Sequence, residues 1–291
     1  MSEKVFLNGK IVDREDAKIS VFDRGFLLGD GLFETMRAYR GKVFRVKDHL
    51  ARLERGAKRM GIPLPALSQL ESAIDQTIRA NEKPEAVVRL TVSRGAGRLG
   101  IVPSKEYSLQ TTIAIIVEEL PAWSPEMYEQ GVSVVVTADR RNQLSALTAV
   151  KTTNFAPNVL ASMEARRAHA VEAVFLNTRG NVAEGATSNV FIVSGGYVVS
   201  PFEEDGLLSG VTRQVVIELC EELQLPFVRK NLTAPELWKA EECFLTGTTK
   251  EIMPVVRVDE HRVASGKPGP VTLKLLAAYR ERVRVETRAD S

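Results

Sequence analysis

The chain has 291 residues, enough for one large domain or two smaller ones, and its 44% hydrophobic and 26% charged content is that of an ordinary globular protein. Thirty-nine basic residues against 37 acidic ones leave a net charge of +2, which gives no basis for binding nucleic acid or an anionic membrane surface. No run is long and apolar enough to span a bilayer and no signal-peptide pattern opens the chain, so a soluble, cytoplasmic protein is expected.

Val5 to Val12 predicts a hairpin that turns at Asn8-Gly9. Val21 to Gly31 is a glycine-rich loop whose spacing fits neither a dinucleotide nor a P-loop fingerprint. Leu32 to Tyr39 reads as a strand with Phe33, Thr35 and Arg37 on one face, either a half-exposed sheet face or the wall of a substrate pocket. Lys47 to Met60 is a helix with the apolar stripe Leu50, Leu53, Ala57 and Met60, and His49 and Arg52 share another of its faces. Arg52 either stays in solvent or turns inward, where its planar fork of donors suits a phosphate. Ser68 to Asn81 is a second amphipathic helix, and Ala86 to Ser93 is a strand that includes Arg89. The Arg94 to Gly100 loop, with Arg94 and Arg98, is either a basic turn or a grip for a carboxylate. After the strand Thr111 to Val117, Pro121 and Pro125 break the pattern. The expected division is a smaller N-terminal domain over 1–120, a linker over 121–127 and a larger C-terminal domain over 128–291.

Val132 to Thr137 is a buried-looking strand that leads towards Lys151. Lys151 follows Ala149-Val150 and stands just ahead of a helix over Pro157 to His169, which sets Val159, Leu160, Met163 and Ala170 against Arg166 and Arg167. A lysine here either caps a turn in solvent or sits where apolar surroundings disfavour its charge, leaving an amine that attacks carbonyls. Beyond the strand Ala173 to Asn177, Glu184 opens a stretch of small residues that returns to a strand at Asn189. Its carboxylate is either a surface turn group or the partner of a cation. Gly206 to Arg213 leads into a helix over Gln214 to Leu223, whose start is either an anion site or an ordinary cap made by Ser209 or Thr212. The strand Cys243 to Thr246 ends in the hydroxyl-rich turn Gly247-Thr248-Thr249-Lys250, which can also offer donors to an anion, and Val271 to Val283 is a closing helix. Cys220 and Cys243 fall in apolar patterns and are expected as reduced core residues. His49, His169 and His261 lack the spacing of metal ligands, and there is no Gly-x-Ser-x-Gly elbow, so neither a metal hydrolase nor a serine hydrolase fits. A non-catalytic binding protein would have no use for Lys151.

These pieces hold one complementary set: a lysine for a carbonyl, a carboxylate for a cation, and three anion-binding candidates. Pyridoxal 5'-phosphate requires that set.

The motifs FDRGFLLGDGLFET, HLARL, VKTTNFAPNVLASMEARR, VAEGATSNVF, LLSGVTR and GTTKEIMPV, in this order, resemble those of the class IV aminotransferases, the fold-type IV pyridoxal-phosphate enzymes. That group includes branched-chain aminotransferases, D-amino acid aminotransferases and aminodeoxychorismate lyases. The resemblance implies an α/β (α+β) two-domain fold of the D-amino acid aminotransferase type, with pyridoxal 5'-phosphate in the cleft of a homodimer and the partner's Arg24 to Leu28 loop closing it. It implies that Lys151 is the Schiff-base and proton-shuttling lysine and that Glu184 is the partner of the pyridine nitrogen. Arg52, Val211, Thr212 and Thr248 would contact the phosphate, and Leu208 would pack on the ring face. The turn at Thr248 and Thr249 would face a substrate carboxylate. Phe33, Thr35 and Leu28 would line the substrate pocket, and Arg37, Arg89 and Arg98 are candidates for a second carboxylate. Phe33-Glu34-Thr35 stands where branched-chain enzymes usually show Phe-Glu-Gly, and Leu28, Val87 and Phe155 stand where they tend to show tyrosine. Gly247-Thr248-Thr249 is similar to the transaminase version of its turn, where lyases tend to carry asparagine. The implied activity is transamination between branched-chain L-amino acids and a 2-oxo acid such as 2-oxoglutarate. D-amino acid transamination and aminodeoxychorismate cleavage are the alternatives.

Overall fold

Short alternating segments build the first of two sheets. The computed structural model of the protein describes residues 3–103 and 110–288. The first sheet uses β1 (Lys4–Leu7), β2 (Lys10–Asp13), β3 (Gly31–Tyr39), β4 (Lys42–Val43), β5 (Ala86–Ser93) and β6 (Thr112–Glu118), antiparallel in the order β2-β1-β6-β5-β3-β4. The expected glycine-rich loop ahead of β3 contains a short helix, α1 (Arg24–Leu28). The Asp23 carboxylate accepts from the Gly25 N–H to start it, and Gly29 closes it at φ +65°.

Helices α2 (Val46–Met60) and α3 (Leu67–Asn81) cover one face of this sheet. Leu50, Leu53 and Ala57 from α2 and Leu70, Ile74 and Ile78 from α3 pack with Leu32, Met36, Val88, Leu90, Ile115 and Val117. Each fully buried leucine or isoleucine contributes about 1.5–3 kcal/mol. The alternation of β3 sends Leu32, Met36 and Ala38 into this core and leaves Phe33, Thr35 and Arg37 on the other face.

The second sheet follows in chain order: α4 (Pro125–Gln130), β7 (Val132–Arg141), α5 (Ala156–Arg167), β8 (Glu172–Asn177), β9 (Val182–Gly185), β10 (Asn189–Ser194) and β11 (Tyr197–Ser200). Then come α6 (Val211–Glu222), β12 (Phe227–Arg229), α7 (Ala234–Lys239), β13 (Glu242–Gly247), β14 (Glu251–Val258), β15 (His261–Arg262) and α8 (Pro270–Glu286). The strand order is β12-β11-β10-β13-β14-β7-β8-β9, with β15 on β14. The β14-β7-β8 pairs are parallel, and the β7 to β8 crossover carries Lys151 and α5. Phe191 of β10 and Phe244 of β13 face each other in register and stack at 5.0 Å.

Two expectations change here. Packing divides the chain into one unit of Met1–Pro121, Val150–Asn154 and Glu286–Ser291 and another of Ala122–Ala149 and Phe155–Val285. The segment around Lys151 therefore groups with the N-terminal strands rather than with the C-terminal domain, because its backbone pairs with β3. The buried side of α5 also differs from the apolar stripe read in the sequence. Asn158, Ala161 and Ala165 are its buried residues, while Val159, Leu160 and Met163 are exposed. Ala161 and Ala165 meet Ala173, Phe175 and Ala186, where small side chains let helix and strands approach closely. Cys220 and Cys243 are both buried, and burial pushes their thiols up to about 11 and about 12, so they behave as core hydrophobes.

Candidate active site

In the first unit Lys151 to Thr153 lie beside the start of β3, joined to it by an isolated antiparallel bridge between Thr152 and Leu32. The Phe33 N–H donates to the Lys151 carbonyl at 3.0 Å and the Thr153 N–H to that of Gly31 at 2.9 Å. The Thr153 hydroxyl and the Asn154 amide both donate to the Gly29 carbonyl. Val150 anchors the segment in the core beneath. Lys151 is thus held at a fixed register on the sheet, half-buried, with its Nζ 4.5 Å from the centroid of the Phe33 ring.

A second cation uses the same ring. The Arg89 guanidinium lies 3.4 Å from the Phe33 centroid, and its Nε donates to the Thr91 hydroxyl at 3.3 Å. The register sets Thr35 opposite Arg89 and Phe33 opposite Thr91, so Phe33, Thr35, Val87 and Arg89 share a neighbourhood. Burial lowers Arg89 to about 10 against the pull of the Glu34 charge, which leaves it a cation at neutral pH. Arg37 turns instead onto the Tyr39 ring at 4.2 Å. Arg98 is exposed on its loop, and Leu28 is 47% exposed at the end of α1. Arg94 is committed to structure: it grips Asp30 and donates to the carbonyls of Met60 and Gly61.

Arg52 turns inward. Its Nε and Nη2 donate to the two oxygens of Glu34 at 2.9 and 2.6 Å, and His49 Nδ1 lies 2.8 Å from Glu34 Oε2. Glu34 is completely buried on the core-facing side of β3. Burial alone would raise its carboxyl, but the Arg52 charge and hydrogen bonds, helped by His49, hold it at about 2. Burial keeps His49 below its ordinary value against the opposing pull of Glu34. An ionised Glu34 only accepts, so the proton of a neutral His49 sits on Nδ1.

In the second unit Glu184 lies in β9, one residue before its end, and both oxygens of its carboxylate accept hydrogen bonds. Arg141 Nη2 donates to Oε1 at 2.7 Å and the Leu208 N–H to Oε2 at 2.8 Å. Arg141 lies over the Phe175 ring at 4.6 Å and reaches Asn158 Oδ1 at 3.4 Å, while the Asn158 amide donates to the Ala186 carbonyl. Helix α6 begins at Val211 rather than Gln214, which puts Val211 and Thr212 in its first turn. Its cap position is Gly210, at φ -69° and ψ 141°, which has no side chain to cap with. A Cβ at Gly210 would meet Asn189 Oδ1 at 2.1 Å, so only glycine allows that approach. Thr248 and Thr249 are half-buried in the turn between β13 and β14.

The structure therefore gathers Lys151, Phe33, Thr35 and Arg89 in one unit and Glu184 with Leu208 in the other. It adds Glu34 and Arg141, which the reading of the sequence passed over. Glu34 had a signal, since it is an acid at a core-facing position between Leu32 and Met36. Arg141 had none, because its contacts depend on where β9 lies. Among the described residues no cluster of three or more His, Cys, Asp or Glu could hold a metal, and no helix is long and apolar enough to cross a membrane.

The profile of the family described as "Amino-transferase class IV" matches residues 31–258. This chain belongs to the class IV aminotransferases. It is 39% identical over 280 residues to a "Putative branched-chain-amino-acid aminotransferase" of Methanocaldococcus jannaschii, covering 96% of each chain. It is 32% identical to a D-alanine aminotransferase of Bacillus licheniformis, covering 98% of each. Its structure superposes on the branched-chain amino acid aminotransferase of Escherichia coli with a TM-score of 0.93 at 30% identity, covering 100% of this chain and 97% of that one. It superposes on the 4-amino-4-deoxychorismate lyase of Pseudomonas aeruginosa with a TM-score of 0.86 at 31% identity, covering 95% and 98%. The class IV aminotransferase has the fold-type IV architecture, and pyridoxal 5'-phosphate is the cofactor of the family.

Proposed function

We propose that this class IV aminotransferase moves an amino group between branched-chain L-amino acids and 2-oxoglutarate. The observation that carries the substrate reading is the pairing of the Phe33 ring with the Arg89 guanidinium beside Lys151. The enzyme must accept an apolar side chain in one half-reaction and a carboxylate in the other. Phe33, Thr35 and Val87 offer the apolar wall, and Arg89 offers a cation that can pair with the second carboxylate. The name borne by the Methanocaldococcus jannaschii relative supports the same choice.

The residues present fit the cofactor. An amine, a carboxylate that accepts from Arg141 and Leu208, and the glycine-flanked start of α6 match its aldehyde, its ring nitrogen and its phosphate. Lys151 would hold the aldehyde, Glu184 the ring nitrogen and Leu208 the ring face. Arg52, Val211, Thr212 and Thr248 would hold the phosphate. Bound there, the cofactor supplies a carbonyl that exchanges amino groups and a protonated ring that draws electrons from the substrate α-carbon.

The chain's own residues then have defined work. Lys151 Nζ takes the proton from the substrate α-carbon and returns one on the other side of the transfer. The Glu184 carboxylate keeps a proton on the ring nitrogen, and Arg141 fixes that carboxylate in one orientation. The Thr248–Thr249 turn receives the substrate α-carboxylate. Phe33, at 2% exposure, keeps water from one side of the Lys151 amine. We assign the enzyme as a homodimer, consistent with Phe22, Phe26, Leu27 and Leu28 exposed in and beside α1, and light scattering of the holoenzyme tests this.

The deciding experiment follows the absorbance of the bound cofactor while L-leucine, D-alanine and aminodeoxychorismate are added separately. Conversion by L-leucine is expected. Conversion by D-alanine alone would move the enzyme to the D-amino acid branch, and pyruvate release from aminodeoxychorismate would make it a lyase. Lys151→Ala should abolish both the absorbance and turnover. Arg52→Ala should weaken cofactor affinity by roughly ten- to a hundredfold, the loss of a charge-assisted hydrogen bond to phosphate.

A further inference from the structure

Behind the Thr248–Thr249 turn stands a buried ion pair that the reaction scheme does not use. Lys250 and Glu172 are 5% and 2% exposed, and Lys250 Nζ lies 2.7 Å from Glu172 Oε2. The same oxygen accepts from the hydroxyls of Thr187 at 2.8 Å and Ser188 at 3.0 Å, and Lys250 Nζ also donates to the Thr187 hydroxyl. The pair therefore ties two turns together. One follows Glu184 and closes with the Gly185 N–H donating to the Ser188 carbonyl at 2.7 Å; the other is Thr248-Thr249-Lys250.

The second turn is under strain. Gly247 pairs with Glu251 across it, and Glu251 has φ +55°, a left-handed conformation that disfavours a residue with a Cβ. Such strain persists only where the surroundings over-determine it. Here Arg280 Nε holds the Glu251 carboxylate at 2.8 Å, the Tyr128 hydroxyl donates to the Lys250 carbonyl at 3.2 Å, and Glu172 holds the Lys250 side chain. A desolvated ion pair is a weak way to stabilise a fold, since well-packed neutral residues usually do as well. It is an effective way to fix direction, because its hydrogen bonds admit one arrangement.

We propose that Lys250 and Glu172, bridged by Thr187, are positioning residues that set the geometry of the Thr248–Thr249 turn and so the affinity of the enzyme for the substrate carboxylate. The inference rests on the reading of that turn as the receiver of an anion. Neither buried group touches substrate; both act through the backbone of the turn.

The test uses the holoenzyme with whichever amino donor converts its bound cofactor. KM, kcat and melting temperature are measured for Thr187→Ser, Thr187→Val and the double variant Lys250→Met/Glu172→Gln. The double variant removes both charges and keeps their volumes, so it should fold. Thr187→Val and the double variant are expected to raise KM about tenfold with kcat within threefold, while Thr187→Ser, which keeps the bridging hydroxyl, stays at the wild-type value. The double variant guards against direct contact of the exposed Thr187 with substrate. An unchanged KM in the double variant overturns the proposal, whatever happens to the melting temperature. Thr248→Val separates the two layers of the argument. If it weakens cofactor or substrate binding and the double variant does not, only the positioning role fails. If neither variant changes binding, the anion-receiving role of the turn fails as well.

Discussion

Arg141 and Glu184 form an ion pair in which Arg141 Nη2 lies 2.7 Å from Glu184 Oε1, and the Leu208 N–H takes the other oxygen at 2.8 Å. A carboxylate fed from both sides cannot rotate. Arg141 is itself kept in place by the Phe175 ring and by Asn158. Arg141→Met should leave the cofactor bound but let Glu184 swing. A charge-assisted hydrogen bond of about 1.5–3 kcal/mol translates into roughly a ten- to hundredfold fall in kcat. Steady-state kinetics on the holoenzyme measures this, and a wild-type kcat would separate Arg141 from the reaction.

Glu34 gives a prediction in acid. Its carboxyl sits at about 2 in the folded protein against an ordinary 4.5, so the folded state favours the ionised form. A depressed carboxyl contributes stability that is complete above the unfolded value and is lost as pH falls through the folded one. The window is therefore from about pH 4.5 down to about pH 2, and the contribution is on the order of 3 kcal/mol. Urea midpoints measured from pH 6 to pH 2 should fall steeply for the wild type. Glu34→Gln should be less stable at pH 6, with Arg52 left buried against a neutral partner, and should show a shallower fall. Parallel pH profiles for the two proteins would remove Glu34 from the acid response.

Much of this was legible in the chain. The alternation Leu32-Phe33-Glu34-Thr35-Met36-Arg37 put Phe33, Thr35 and Arg37 together on the face away from the core, because a strand has only two sides. Short-range signals were less complete: the Asp23 cap that starts α1 inside the expected loop, and the start of α6 at Val211 rather than Gln214, came only with the structure. Contacts distant in sequence were not legible. The buried side of α5 was misread because Val159, Leu160 and Met163 are more apolar than Asn158, Ala161 and Ala165, yet close approach to Ala173 and Ala186 demands small residues. Lys151 joins the N-terminal unit through backbone hydrogen bonds to Gly31 and Phe33, which leave no mark on side-chain pattern.

Gly95 offers a test of the loop after β5. Its φ is +92°, and a Cβ there would lie 1.9 Å from the Gln110 carbonyl oxygen. Gly95→Ala must move that backbone as well as adopt a disfavoured conformation, which costs about 1–3 kcal/mol for the strain alone. Its carbonyl also accepts from the Arg24 N–H at 2.9 Å, so α1 should loosen with it. A lowered urea midpoint is expected, together with faster amide exchange across residues 24–28. An unchanged midpoint would mean that the chain around Gln110 yields freely.

The three candidate arginines can be separated by substrate. Arg89 shares the Phe33 ring with Lys151, Arg37 lies against Tyr39, and Arg98 stands on an exposed loop. Burial lowers Arg89 to about 10, so removing its charge relieves a desolvated cation while depriving a dicarboxylate of its partner. Arg89→Met keeps the apolar stem over the ring. KM for 2-oxoglutarate should rise roughly ten- to a hundredfold, the loss of a charge-assisted contact, while KM for L-leucine should change by less than about threefold. Arg37→Met and Arg98→Met should leave that ratio near the wild-type value. If Arg98→Met alone shifts the ratio, the second carboxylate is received by the loop rather than by the sheet. An equal rise for both substrates in Arg89→Met would instead make Arg89 a support for Phe33, since uniform loss of binding carries no information about the second carboxylate.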